Sequence, residues 1–179
     1  GSELWKLDKS GSGIATFVYD FKAGSPSSKW GSSVESPDAR NLGTVKYFQG
    51  KLYAQGDWKG STTAPRKGYE LVVYDPLGSD GKLVCDINPG TPNGNPTFLT
   101  PWGNDLYFQA NSAEFGVSLW RFRSSNGNCG VVVNTGGKSA YPEYITLFND
   151  VLYFRYNEDR GEIKSELYSY APGDGLNLV

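Results

Sequence analysis

The sequence predicts an all-β protein of β-propeller-like build, made of four-stranded antiparallel meander blades. Three observations carry this. First, a short strand motif recurs. Glu70-Leu71-Val72-Val73-Tyr74-Asp75, Ser118-Leu119-Trp120-Arg121-Phe122-Arg123 and Glu166-Leu167-Tyr168-Ser169-Tyr170-Ala171 begin about 48 residues apart, and Glu3-Leu4-Trp5-Lys6-Leu7-Asp8 is a further copy. A period in the range of roughly 20–50 residues marks repeat architectures. Second, aromatic residues make up 15% of the chain and are fenced by 23 Gly and 10 Pro, the pattern of many short strands between turns. Third, the strands are apolar on both faces. In Leu106-Tyr107-Phe108 and Leu119-Trp120-Arg121-Phe122, each face carries a leucine or an aromatic ring. Such a sheet must be covered on both sides. Stacked four-stranded units of about 40–50 residues, the blades of a propeller, satisfy that demand.

Taken in order, segments 3–8 and 14–21 read as two strands of a half-blade, 3–21. A long Ser/Gly/Pro-rich stretch, 22–41, follows and contains Trp30. The first full blade, about 43–88, holds strands at 43–48, 51–56, 69–75 and 82–88, with a polar loop at 57–68 carrying Asp57, Trp58, Arg66 and Lys67. The second, 96–134, holds strands at 96–102, 105–110, 118–123 and 129–134. The third, 142–179, holds 142–148, 151–156, 166–171 and 176–179. Each strand is β-branched or aromatic and bounded by Gly, Asn, Asp or Pro. Asp80-Gly81, Asn126-Gly127 and Asp174-Gly175 between third and fourth strands suit tight hairpins, as do Gln49-Gly50 and Asn149-Asp150 between first and second strands. No segment keeps a 3.6-residue apolar period, so no helix is predicted.

The count gives 14 strands, three and a half units, in one domain or fragment spanning 1–179. The chain begins with third- and fourth-type strands and ends with the same types. Self-closure therefore needs another segment, and an open blade edge invites pairing with another chain. The expectation is a partner that completes the N-terminal half-blade, or a multi-chain assembly. Gly1-Ser2 reads as a remnant of cloning, which suggests a piece of something longer.

These residues resemble the ELWxxDGT-type tandem repeats of large bacterial, and some eukaryotic, surface or secreted proteins. Lys82-Leu83-Val84-Cys85-Asp86-Ile87-Asn88-Pro89-Gly90, Pro96-Thr97-Phe98-Leu99-Thr100 and Leu106-Tyr107-Phe108 match the family's LVxDINPG, proline-LT and LYF elements. The DGT triplet survives only as Asp80-Gly81 and Asp174-Gly175. The resemblance implies a propeller and an extracellular or cell-surface location. It implies no particular chemistry.

Several function classes fall away. A formal net charge of -2 with scattered signs gives no basic footprint for nucleic acid. No run of about 18 apolar residues spans a membrane. Histidine, the commonest general base and metal ligand, is absent, and no metal-type cysteine spacing occurs.

The longer loops, 22–42, 57–68, 89–95, 111–117, 135–141 and 157–165, all fall on one face of a meandering propeller. Long loops on a rigid scaffold carry function more often than short ones. Candidate ligand-binding residues there are Trp30, Asp57, Trp58, Arg66, Glu114, Phe115, Tyr141, Glu158, Asp159 and Arg160. Aromatic rings stack on sugars and anchor protein interfaces, and they also close the ends of cores. Paired carboxylates among Asp57, Glu114, Glu158, Asp159 and Glu162 could cleave glycosidic bonds, or could take calcium, a cation of oxygen ligands. Solvated loop carboxylates are commoner than either. No nucleophile motif is present, so no catalytic residue and no cofactor is assigned. The expected function is non-enzymatic extracellular recognition or assembly, with a carbohydrate or protein bound at the long-loop face. A glycoside-active enzyme and a purely structural repeat fragment are the alternatives. Glu3, Glu70 and Glu166 recur at the strand start and are expected to accept backbone hydrogen bonds. Cys85 and Cys129 fall in fourth strands of consecutive units, where outer strands splay, and alignment puts Cys129 two residues early and on the opposite face. Both points argue against a disulfide, whose Cα atoms must lie within about 7 Å.

Overall fold

The structure is a computed structural model. It describes residues 4–7, 15–19, 45–59, 63–78, 80–134, 136–157 and 165–179, and of the first two strands essentially the backbone. Those residues form 14 strands and no helix. The strands are β1 (Leu4–Leu7), β2 (Ala15–Tyr19), β3 (Lys46–Phe48), β4 (Lys51–Asp57), β5 (Tyr69–Asp75), β6 (Asp80–Cys85) and β7 (Thr97–Trp102). They continue with β8 (Asp105–Ser112), β9 (Gly116–Arg123), β10 (Asn128–Val131), β11 (Glu143–Phe148), β12 (Val151–Tyr156), β13 (Glu166–Ala171) and β14 (Gly175–Leu178). β1 and β2 pair as a two-stranded sheet. β3–β6, β7–β10 and β11–β14 form three four-stranded antiparallel meanders, each in sequence order. Fourteen strands grouped as one half and three full units is the arrangement the repeat predicts.

Turn chemistry sets the hairpins. Gln49-Gly50 and Asn149-Asp150 each place both residues at positive φ, as a type I′ turn requires. Two first strands share an irregularity. The register shifts between Thr97 and Thr100 in β7 and between Glu143 and Thr146 in β11. Phe98 and Tyr144 sit there at φ 56° and 58°. In each, a threonine hydroxyl two residues on donates back to the carbonyl, Thr100 to Phe98 at 2.9 Å and Thr146 to Tyr144 at 3.0 Å.

The sheets stack because both faces of each are apolar. Phe48, Tyr53 and Leu71 of the first sheet are buried in one core with Leu99, Leu106, Phe108, Trp120 and Phe122 of the second. Tyr107 and Leu119, on the opposite side of the second sheet, join Ile145, Leu152, Phe154 and Tyr156 of the third. The first sheet's other side carries Val72 and Tyr74, with Leu52 and Leu83. Neighbouring sheets approach most closely at their first strands, β7 and β11 above all. Polar side chains stitch the same seam. Gln109 Nε2 donates to Pro142 O at 3.1 Å, and Thr100 Oγ1 lies 2.8 Å from Ile145 O.

Two sequence expectations are corrected here. Cys85 and Cys129 are joined in a disulfide, their Cα atoms 6.1 Å apart, so the outer strands β6 and β10 do not splay beyond reach at that level. Facing explains the rest. Cys85 is registered opposite Leu71, and Cys129 opposite Phe122, and cross-strand partners share a face. Leu71 looks from the first sheet toward the second, and Phe122 from the second toward the first. Opposite faces are therefore what a bridge between stacked sheets needs. The second correction concerns 111–117. β8 runs on to Ser112 and β9 starts at Gly116, and these two residues pair, so the segment is a tight hairpin and not a long loop.

Candidate functional site

The end of the stack where β4 turns into β5 and β6 leads to β7 is built from buried polar side chains. Gln55, Asp57, Glu70, Asn88, Ser112 and Ser118 are all buried. Buried polar groups are hydrogen-bonded or costly, and these bind loops.

The β4–β5 loop is clamped at its base by Trp58 N donating to Gly68 O and Lys67 N to Trp58 O. Asp57, closing β4, accepts from Arg66 Nε at 2.6 Å. That charge-assisted bond holds the Arg66 guanidinium above its ordinary pKa. The same guanidinium lies over the Tyr69 ring, 5.4 Å from its centroid, a cation–π geometry. Arg66 keeps about two-fifths of its side chain exposed while Asp57 is buried. The pair thus presents one oriented cation to solvent.

The 86–96 segment is held from below by Glu70. Its carboxylate oxygens accept from Ile87 N and from Gly94 N, each at 2.7 Å. Gly94 lies so close that a Cβ there would stand 2.5 Å from Glu70 Oε2 and 2.9 Å from Ile87 Cβ. Burial pushes the Glu70 carboxyl up to about 8, against the opposing pull of the backbone donors at Ile87 and Gly94. Further ties come from Asn93 Oδ1, which accepts from Tyr69 N at 3.0 Å, and from Gln55 Nε2, which donates to Asn95 Oδ1 at 3.2 Å. Lys67 Nζ meets Asp86 Oδ2 at 2.8 Å, joining this segment to the β4–β5 loop.

The bracing continues into the next hairpin. Asn111 N donates to Gly94 O at 2.7 Å, and Ala113 N to Asn88 Oδ1 at 3.2 Å. The β8–β9 turn in turn meets the following loop, where Val117 N donates to Ser139 Oγ at 3.1 Å and Ala140 N to Val117 O at 2.7 Å. The loops at this end form one hydrogen-bonded row, 58–68 to 86–95 to 112–117 to 136–141.

Of the residues singled out from sequence, Asp57 and Arg66 are brought together as an ion pair. Trp58 is half-buried and packs beside Val72 and Tyr74. Phe115 packs edge-on against Trp120, ring centroids 6.0 Å apart, so its ring belongs to the core between the first two sheets. Glu114 is exposed on the β8–β9 turn. Tyr141, at φ 47°, is half-buried, its N–H directed at Val117 O at 3.3 Å. Trp30, Glu158, Asp159 and Arg160 lie outside the described residues. The expected strand-start carboxylate role holds for Glu70, whereas Glu166 is exposed.

Sequence reading missed Gln55, Lys67, Asp86, Asn88, Asn93 and Gly94 as the brace. The one available signal was the Asp86-Ile87-Asn88-Pro89-Gly90 element, whose first three residues were assigned to the end of a strand although β6 stops at Cys85. Among the described residues, no three His, Cys, Asp or Glu side chains gather as metal ligands, and no helix is long and apolar enough to cross a membrane. A scan of the chain against family models matches none, and no curated protein matches its sequence.

Proposed function

We propose that the chain is a non-enzymatic, propeller-type module that recognises a carbohydrate or protein partner, or builds an extracellular assembly, through its long-loop face. The observation that carries this reading is the braced loop row. Its carboxylates Asp57 and Glu70 are spent on Arg66 and on backbone N–H groups, which suits holding loops still more than proton transfer to a substrate. A preorganised loop surface loses little freedom on binding. It offers a partner the Arg66 guanidinium seated over Tyr69 and, farther along the row, the exposed Glu114 turn. The Cys85–Cys129 bridge is compatible with an oxidising, extracellular setting, and the resemblance to ELWxxDGT-type repeats of surface proteins favours the same location.

The test is a glycan array together with affinity capture on the intact chain, repeated with Arg66→Ala and Glu114→Ala. Binding that weakens at least about tenfold, roughly 1.4 kcal/mol, in one or both variants supports the reading. Binding unaffected by both variants, or hydrolysis of an array glycan, overturns it.

A further inference from the structure

The sheet-to-sheet interface of this chain is a repeated object, seen twice among the described residues. Aligned on Leu52, Leu106 and Leu152, each sheet has a side that faces the next. In the first sheet, Phe48, Tyr53 and Leu71 on that side are buried against the second sheet. In the second, Trp102, Tyr107 and Leu119 pack against the third. Their counterparts in the third sheet are Phe148, Tyr153 and Leu167. Phe148 is 62% exposed and Leu167 51%.

The polar positions repeat in the same way. Thr100 Oγ1 reaches Ile145 O of the next sheet, and its counterpart Thr146 bonds only within its own strand. Phe98 stacks on the next sheet's Tyr144 at 5.4 Å, while Tyr144 itself is 50% exposed.

The opposite end of the stack shows the complementary deficit. On the outward side of the first sheet, Val72 and Tyr74 on its third strand are buried, yet Tyr47 on its first strand is 67% exposed. Val45, one residue before that strand, is 39% exposed, whereas its counterparts Leu99 and Ile145 are buried. This side is covered over its third strand and open over its first. The two-stranded β1–β2 sheet is itself of third- and fourth-strand type by its Leu4-Trp5-Lys6-Leu7 motif, and among the described residues β1 pairs with β2 alone. In the three full sheets the third strand always pairs with a second strand as well.

We propose that one β-hairpin of first-and-second-strand type, built like β7–β8, adds to the free edge of β1. There it covers the Phe148–Tyr153–Leu167 side of the third sheet and the first-strand end of the first sheet. Its required chemistry follows from the two interfaces already in the chain. One side must carry the Leu106/Phe108 pattern that packs on Phe48, Tyr53 and Leu71. The other must carry the Trp102/Tyr107 pattern that packs on Leu147 and Leu152. Backbone pairing along β1 supplies affinity, and the alternating side chains supply specificity, as in strand addition generally. The inference continues an interface present twice in the chain and does not depend on the loop-face reading.

The experiment appends a copy of residues 96–112 to Val179 through a flexible Gly/Ser linker. A control fusion carries Leu106→Asp and Phe108→Asp in the appended copy only. The fusion is expected to raise Tm by roughly 5–10 °C over the unmodified chain and to protect β1 and β11 amides from hydrogen exchange, with the control doing neither. Unchanged Tm and unchanged β1 exchange overturn the proposal. Should the fusion not fold, a synthetic 96–112 peptide added to the unmodified chain replaces it. Saturable binding weakened at least about tenfold by Phe148→Asp supports the proposal, and absence of saturable binding overturns it. If the unmodified chain sediments as a concentration-dependent dimer with β1 and β11 already protected, a second copy is the occupant and the hairpin proposal falls.

Discussion

Removing the Cys85–Cys129 bridge should cost the first two sheets their outer tether. The bridge closes a loop across a sequence separation of 44 residues. The chain-entropy relation, about −2.1 − 1.5R ln n cal/mol/K, gives roughly 13 cal/mol/K for such a loop, or about 4 kcal/mol at 25 °C. The structure argues for a value near this ceiling, because the bridge lies beside a core that already holds Leu71 and Phe122 in place, so its removal leaves the native contacts standing. The assay is urea unfolding of the oxidised chain, of the reduced chain, and of Cys85→Ala, Cys129→Ala and the double variant. Each single variant should lose about 3–4 kcal/mol, and the double little more, because the first substitution already abolishes the link. For a chain of this size that corresponds to a Tm drop of roughly 6–16 °C. Two results would refute the reasoning. One is a loss below about 1 kcal/mol on reduction. The other is additive single-variant losses, which would mean the two residues act only through separate packing.

Three further outcomes follow from the brace. Gly94→Ala should destabilise by roughly 1–3 kcal/mol in urea titrations, since a methyl group at 2.5 Å from Glu70 Oε2 must push the carboxylate off its two backbone donors. Glu70 binds its proton more tightly folded than unfolded, near 8 against 4.5. Stability should therefore fall as pH rises from about 5 to 8, with a slope approaching 1.4 kcal/mol per pH unit. Glu70→Gln should flatten that slope, and stability that rises across the same range would contradict it. Asp57→Asn should cost about 1–2 kcal/mol, a modest figure because Arg66 is part-exposed, and should speed amide exchange at Trp58 and Lys67 ahead of the rest of β4 and β5.

What the sequence made legible is what repeats. The alternation in Leu106-Tyr107-Phe108 and the Gln49-Gly50 turn are local signals, and local signals place strands and hairpins to within a residue or two. The brace was not legible because its bonds join residues far apart in the chain: Glu70 to Gly94 across 24 positions, Gln55 to Asn95 across 40. No periodicity encodes such a pair. The segment 86–88 failed for the same reason. Its composition continues the strand, yet Ile87 N turns inward to the Glu70 carboxylate, a competitor visible only once β5 and β6 lie side by side. The disulfide failed through geometry of a different kind. Strand side chains alternate, so a two-residue offset by itself keeps the face. The opposite facing comes from the register shift between Leu71 and Val72, and it joins stacked sheets instead of separating the two cysteines.

The strand-start position shows how a repeat separates architecture from role. Glu70, Ser118 and Glu166 occupy one register position in three sheets. Glu70 reaches forward to Ile87 and Gly94, in the segment that leads to the next sheet. Ser118 turns back, donating its hydroxyl to Phe115 O at 2.7 Å, and so serves only its own hairpin. Glu166 stands exposed. The sheet dictates where the side chain starts, and the chain that follows decides what it can reach. A glutamate belongs where a connection to another sheet passes overhead with free N–H groups, and a serine suffices where the turn beneath is short. By that logic Glu166 stands exposed because, among the described residues, no connection passes over it with N–H groups to offer.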